Sequence, residues 1–106
     1  MLYQTQAEIN TFYYQVIQKV AASHKVGIMN WDMKSTVELL HEIRQKSGSI
    51  HLALIAFLEA YQTWYDVHVE IDIAGKAGTL SSAQNQQLLQ AISTRDSTRT
   101  FLLSQI

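Results

Sequence analysis

The stretch from Ile50 to Ile73, IHLALIAFLEAYQTWYDVHVEIDI, holds the densest run of apolar residues in the chain and constrains the fold more than any other feature. In its first half, Ile50, Leu54, Phe57, Tyr61 and Trp64 recur at steps of three and four, which places them on one face of a helix. Ala53, Leu58, Ala60 and Tyr65 widen that face, while Glu59, Gln62 and Asp66 collect on the other side. So wide an apolar face needs contact on more than one flank, and the spacing predicts a central helix. The same three polar residues interrupt the run of about 20 apolar residues that a bilayer span requires.

The second half of the stretch carries two patterns at once. Val67, Val69, Ile71 and Ile73 alternate with His68, Glu70 and Asp72, as in a half-buried strand, and the apolar members are all β-branched. A lone strand needs a partner, and the segments available to pair with it, Val26 to Trp31 and Thr98 to Leu103, are short and weakly patterned. The reading adopted is a helix that continues to about Ile73. An α+β fold with a short strand at Val67–Ile73 is the alternative.

The remaining segments read as helices joined by short turns. Proline, which breaks helix interiors, is absent from the chain. A first helix runs from Thr5 to about Ser23, with Ile9, Phe12, Val16 and Val20 in one line and Tyr13 and Ile17 beside it. Gly27 is available for a left-handed cap after it. The connector VGIMNW is expected to tuck Ile28, Met29 or Trp31 beneath the end of the bundle.

A second helix starts at Asp32 or Ser35, and Ser35 with Glu38 has the spacing of a capping box. Its expected core line is Met33, Val37, Leu40 and Ile43, with Lys34–Glu38 and Glu42–Lys46 as exposed pairs four apart. Gly48 suits the end of this helix and Ser49 the cap of the next. A loop from Ala74 to Ser82 with two glycines precedes a last helix, for which Ser81 and Gln84 form a second capping box. Leu88, Leu89 and Ile92 form its first apolar face, and Phe101, Leu102, Leu103 and Ile106 its second. The threonines between them are poor helix formers, so this helix either kinks there or runs on and projects its arginines into solvent.

The sum is an all-α fold, a small antiparallel four-helix bundle, in a single domain spanning the 106 residues. Lengths then matter. A second helix of about 14 residues spans about 21 Å, whereas the central one approaches about 36 Å. The far end, Trp64 to Ile73, must be covered by the last helix, by the connector or by another chain.

Chemistry is scarce. With no cysteine, thiol and disulfide chemistry are excluded. No serine stands in a GxSxG turn, and no carboxylates are paired by spacing. A net charge of -1 gives no reason to expect nucleic acid or an anionic membrane as partner. Glu38 and His41 make one Glu-x-x-His unit, but a di-metal bundle needs a second unit and further glutamates. His68, Glu70 and Asp72 would share a face only on a strand. The glycines of the Ala74–Ser82 loop lack the rest of a phosphate-binding motif. The N-terminus lacks the basic region and apolar run of a signal peptide, so a cytoplasmic location is expected.

The aromatic residues carry most of the functional signal. Adjacent Phe12, Tyr13 and Tyr14, and Tyr61, Trp64 and Tyr65, cannot all face one core. Some must reach the surface, where aromatics concentrate at binding hot spots. The expected function is a non-enzymatic protein-binding module of the adaptor, chaperone, inhibitor or immunity-protein kind. Its expected partner is a protein, or itself in a homodimer, bound through Tyr14, Tyr61, Trp64, Tyr65, Val67, Val69 and Ile71, with no cofactor. The alternative is a small-ligand or metal-binding protein, an enzyme included, that uses His68, Glu70 and Asp72 or Glu38 and His41.

Overall fold

Four α-helices and one short 3-10 turn build the protein, and no strand occurs among the described residues. The structure, a computed structural model, describes residues 4–79 and 81–106. The helices are α1 (Gln6–Ala22), α2 (Thr36–Lys46), α3 (Gly48–Lys76) and α4 (Ser82–Gln105), with the 3-10 turn at Trp31–Met33. It is an all-α four-helix bundle, and α1 and α4 both run antiparallel to the central α3.

The helix starts follow from side-chain caps that satisfy otherwise unpaired N–H groups. Thr5 accepts from the Glu8 N–H at 3.2 Å. Ser35 and Glu38 close a complete capping box at α2, and Ser81 and Gln84 another at α4. Between α2 and α3 the turn is tighter than expected. Ser47 alone ends one helix, donating its N–H to the Ile43 carbonyl at 2.8 Å, and starts the next, accepting from the Ile50 N–H at 3.3 Å. Gly48 is thus already helical rather than a terminator.

At the other connection the backbone does need a glycine. Gly27 has φ of +62° and donates its N–H to the Ser23 carbonyl at 2.8 Å, which turns Val26 and Ile28 inward. Met29 is left 81% exposed, and Trp31 packs half-buried on the core.

The segment Val67–Ile73 is helical throughout, so α3 is one helix of 29 residues, about 43 Å long. The main core gathers Ile17, Val20 and Ala21 of α1, Leu39 and Ile43 of α2, Ile50, Ala53, Leu54 and Phe57 of α3, and Leu102 of α4. Two expectations for α2 fail here. Met33 and Val37 are 82% and 78% exposed, while Leu39 is fully buried. The cause is the helix start: Met33 lies in the 3-10 turn before the Ser35 cap, so the helical face begins at Thr36 and turns Leu39 and Ile43 inward. For the same reason Lys34, held extended, does not pair with Glu38 but reaches Glu42 at 3.1 Å.

Helix α4 is continuous. Its threonines do not break it; Thr98 satisfies its hydroxyl within the helix by donating to the carbonyls of Thr94 and Arg95 at 2.8 and 3.0 Å. Leu89, Phe101 and Leu103, expected on its apolar faces, are 66%, 57% and 45% exposed. A small second cluster of Val67, Ile71 and Ala91, flanked by Trp64 and Leu88, closes the far end of the α3–α4 hairpin. The molecule is long and thin, 51 × 26 × 16 Å across its Cα atoms.

Candidate interaction surface

Two opposite sides of α3 offer different chemistry. The first is the aromatic side, where α1 lies. Phe12 stacks on Tyr61 with ring centroids 4.5 Å apart, and Tyr61 meets Trp64 at 5.4 Å. His68 lies parallel to Trp64 at 5.4 Å and an interplanar angle of 13°. The Arg95 guanidinium of α4 sits 4.4 Å from the centre of the Trp64 ring, a cation–π contact. It also pairs with Asp96 at 2.9 Å, so this arginine does not project freely into solvent.

Among the described residues the tyrosine hydroxyls are satisfied within the chain. Tyr65 donates to the Gln4 carbonyl at 2.6 Å, and Tyr61 to the Gln4 side chain at 3.2 Å. Tyr14 donates to the Lys34 carbonyl at 2.7 Å, which ties α1 to the segment leading into α2. Tyr13 donates to Gln62 at 3.1 Å. Its pKa is pushed up to about 12, first by burial and then by the negative charges of an ionised Tyr61 and of Asp66.

The residues expected at a partner surface therefore divide. Tyr14, Tyr61, Trp64 and Tyr65 are half-buried in contacts that hold α1 against α3 or α4 against α3. Val67 and Ile71 are buried against α4, while Val69 is half-buried. Ile73, next along the chain, is 57% exposed.

The second side of α3 faces away from α1. There Ala56, Ala60 and Thr63 of α3 and Ala91, Thr94 and Thr98 of α4 line an open groove of about 460 Å³. Glu59 is its one charged lining residue, and Gln87 and Gln90 complete its α4 edge. The signal for it was present in the sequence as small residues recurring at steps of three and four on both long helices. Residues that are neither strongly apolar nor charged leave no mark in a hydropathy pattern, so spacing of apolar residues alone does not reveal the groove.

The titratable constellations are not assembled. Glu38 turns back onto Ser35, and these hydrogen bonds hold its carboxyl below the usual glutamate range; His41 stays exposed. On the helix, His68 stacks on Trp64, Glu70 is exposed, and Asp72 pairs with Lys76 at 3.3 Å. Among the described residues no three His, Asp or Glu side chains could hold one metal ion. No described helix is long and apolar enough to cross a membrane.

No family model matches the chain, and neither the curated proteins nor the solved structures contain a match to it.

Proposed function

We propose that this protein is a non-enzymatic protein-binding module that works by association, with itself in the first instance. The observation that carries this reading is its shape. A compact chain of this length has a radius of gyration of about 13 Å, whereas this one measures 16.0 Å. The excess arises because α3 outruns its neighbours. Helix α1, of 17 residues, spans about 25 Å, and α2, of 11 residues, about 16 Å, so among the described residues α4 alone accompanies α3 beyond Tyr65.

A two-helix hairpin leaves one face of each helix without a partner, and Ile73 and Leu89 are exposed on that portion. Exposed apolar residues mark a docking surface where they join into a contiguous patch, whereas single ones are ordinary.

Sedimentation equilibrium over a wide concentration range tests the proposal. The expected result is a species of twice the 12.1 kDa chain mass that dissociates on dilution. A chain that stays monomeric at all accessible concentrations would remove the self-association reading.

A further inference from the structure

Helix α4 carries two lines of residues at helical spacing. Leu88, Ala91, Arg95, Thr98 and Leu102 recur at steps of three and four and turn toward α3. Leu88 and Ala91 enter the small cluster, Arg95 covers Trp64, and Leu102 is buried in the main core. One residue further on, Leu89, Ile92, Asp96, Arg99, Leu103 and Ile106 repeat the same steps about 100° round the helix. Leu89 is 66% exposed and Leu103 45%, Asp96 and Arg99 are exposed, and Ile92 and Ile106 are half-buried. This second line lies off the groove, whose α4 wall is built from the opposite flank by Gln87, Thr94 and Thr98.

We propose that a second copy of the chain docks on this line, α4 against α4 in antiparallel orientation, about a two-fold axis that passes between Ser97 and Thr98. The inference rests on the self-association reading above and assigns the surface that performs it.

The order of residues selects the occupant. Steps of three and four in alternation make the seam along which two helices coil together. Read forwards, this seam runs apolar, apolar, acid, base, apolar, apolar; read backwards, the acid and base exchange places. An antiparallel copy therefore sets Leu89 opposite Ile106, Ile92 opposite Leu103 and Asp96 opposite Arg99, and two-fold symmetry forms each pair twice. A parallel copy in register sets Asp96 on Asp96 and Arg99 on Arg99, which like-charge repulsion opposes.

Both charges are available. Arg99 makes no ion pair among the described residues. Asp96 uses only Oδ1, which meets the Nε and the Nη2 of Arg95, each at 2.9 Å, and its Oδ2 has no partner among the described residues. Exposed charge pairs add little affinity, so their part is to fix orientation and register while the apolar ends of the seam supply the contact.

The test uses full chains in sedimentation equilibrium. Arg99→Asp leaves two carboxylates in the seam and Asp96→Arg two guanidiniums, both at exposed positions. Each variant should self-associate about tenfold or more weakly than the parent, with unchanged helix content. Mixed one to one, the two should form a dimer at least as tight as the parent's, because every acid then faces a base. The chain has no cysteine, so oxidation reads the orientation. Ile92→Cys mixed with Leu103→Cys should give a covalent dimer faster than either variant alone, since the antiparallel seam separates like positions by about 16 Å.

If the parent is dimeric but the charge variants self-associate as it does and gain nothing on mixing, or the mixed cysteine chains cross-link no faster than either alone, the second copy docks elsewhere and the inference falls while self-association stands. If the parent is monomeric throughout, the self-association reading fails and takes this inference with it. Should Asp96→Arg unfold, Arg99→Asp and the cysteine pair still decide the question.

Discussion

The claim that the far end of the hairpin is thinly enclosed can be tested by matched truncations at Leu54 and Ile71. Leu54 is fully buried in the main core, where all four helices contribute; Ile71 is 8% exposed in the small cluster with Val67, Ala91, Leu88 and Trp64. Each change to alanine deletes about three methylene equivalents, or about 2.4 kcal/mol at roughly 0.8 per buried group. The two sites differ in what remains. Around Leu54 the walls are held from several directions, and a residual void of about 70 Å³ at about 24 cal/mol per Å³ adds about 1.7 kcal/mol.

Around Ile71 only two helices form the walls, so they can close in and water can enter, and the cavity contribution falls toward zero. Leu54→Ala should therefore cost about 4 kcal/mol and Ile71→Ala about 2. Urea denaturation followed by far-UV circular dichroism measures both, at protein concentrations low enough that association adds nothing to the apparent stability. Equal losses, within about 0.5 kcal/mol, would mean that the far end is enclosed as firmly as the core, and the account of an under-covered α3 would be refuted.

Three further outcomes are expected. Because the Glu38 carboxyl titrates below its ordinary value of 4.5 through its hydrogen bonds from Ser35, its stabilisation is complete above that value and lost as pH falls through the lower folded one. Glu38→Gln should flatten this part of the acid stability profile, read from urea midpoints across the acid range. Tyr13 is displaced the other way: its contribution is intact below 10.0 and lost as pH rises toward about 12, and Tyr13→Phe should remove this alkaline step and the late phenolate absorbance that accompanies it. Gly27→Ala should cost about 1–2 kcal/mol in thermal or urea unfolding, a backbone cost alone, since φ is +62° and an added Cβ would meet nothing within 4 Å.

Much of the helical framework can be read directly from residue spacing. The Ser35–Glu38 and Ser81–Gln84 pairs mark helix starts that the structure contains, and Ile50, Leu54 and Phe57 lie in the core as their spacing requires. Elsewhere spacing is degenerate, even where, as at Val67–Ile73, the helix read from it is present. In Val67–Ile73 the strand-like alternation contains the helical pair Val67 and Ile71, four apart, and α4 takes that pair while leaving Ile73 to solvent. At α2 the core face depends on which residue starts the helix; counting from Met33 selects Val37, whereas counting from the Ser35 cap selects Leu39. The tyrosines show a third limit of spacing. Two of their hydroxyl partners, the carbonyls of Gln4 and Lys34, are backbone atoms that no side-chain pattern records.

The single-residue connection at Ser47 has a consequence for the rest of the architecture. With no slack between α2 and α3, α2 is confined to the first turns of α3 and cannot slide toward its far end. Among the described residues, the segment leading into α1 reaches as far as Gln4, which meets Tyr65. Among the described residues the portion beyond is accompanied by the start of α4, which has Leu88 packed inward and Leu89 exposed but is otherwise rich in Gln and carries no charge. Such side chains tolerate water, yet cost far less to bury than charged ones when hydrogen bonds are available. The large apolar residues exposed on that portion are Ile73 and Leu89, whereas Leu52 and Phe101 lie at the opposite end of the hairpin. The reversible self-association proposed above would draw on that combination, since a leucine-rich face favours obligate association and a highly charged one opposes it.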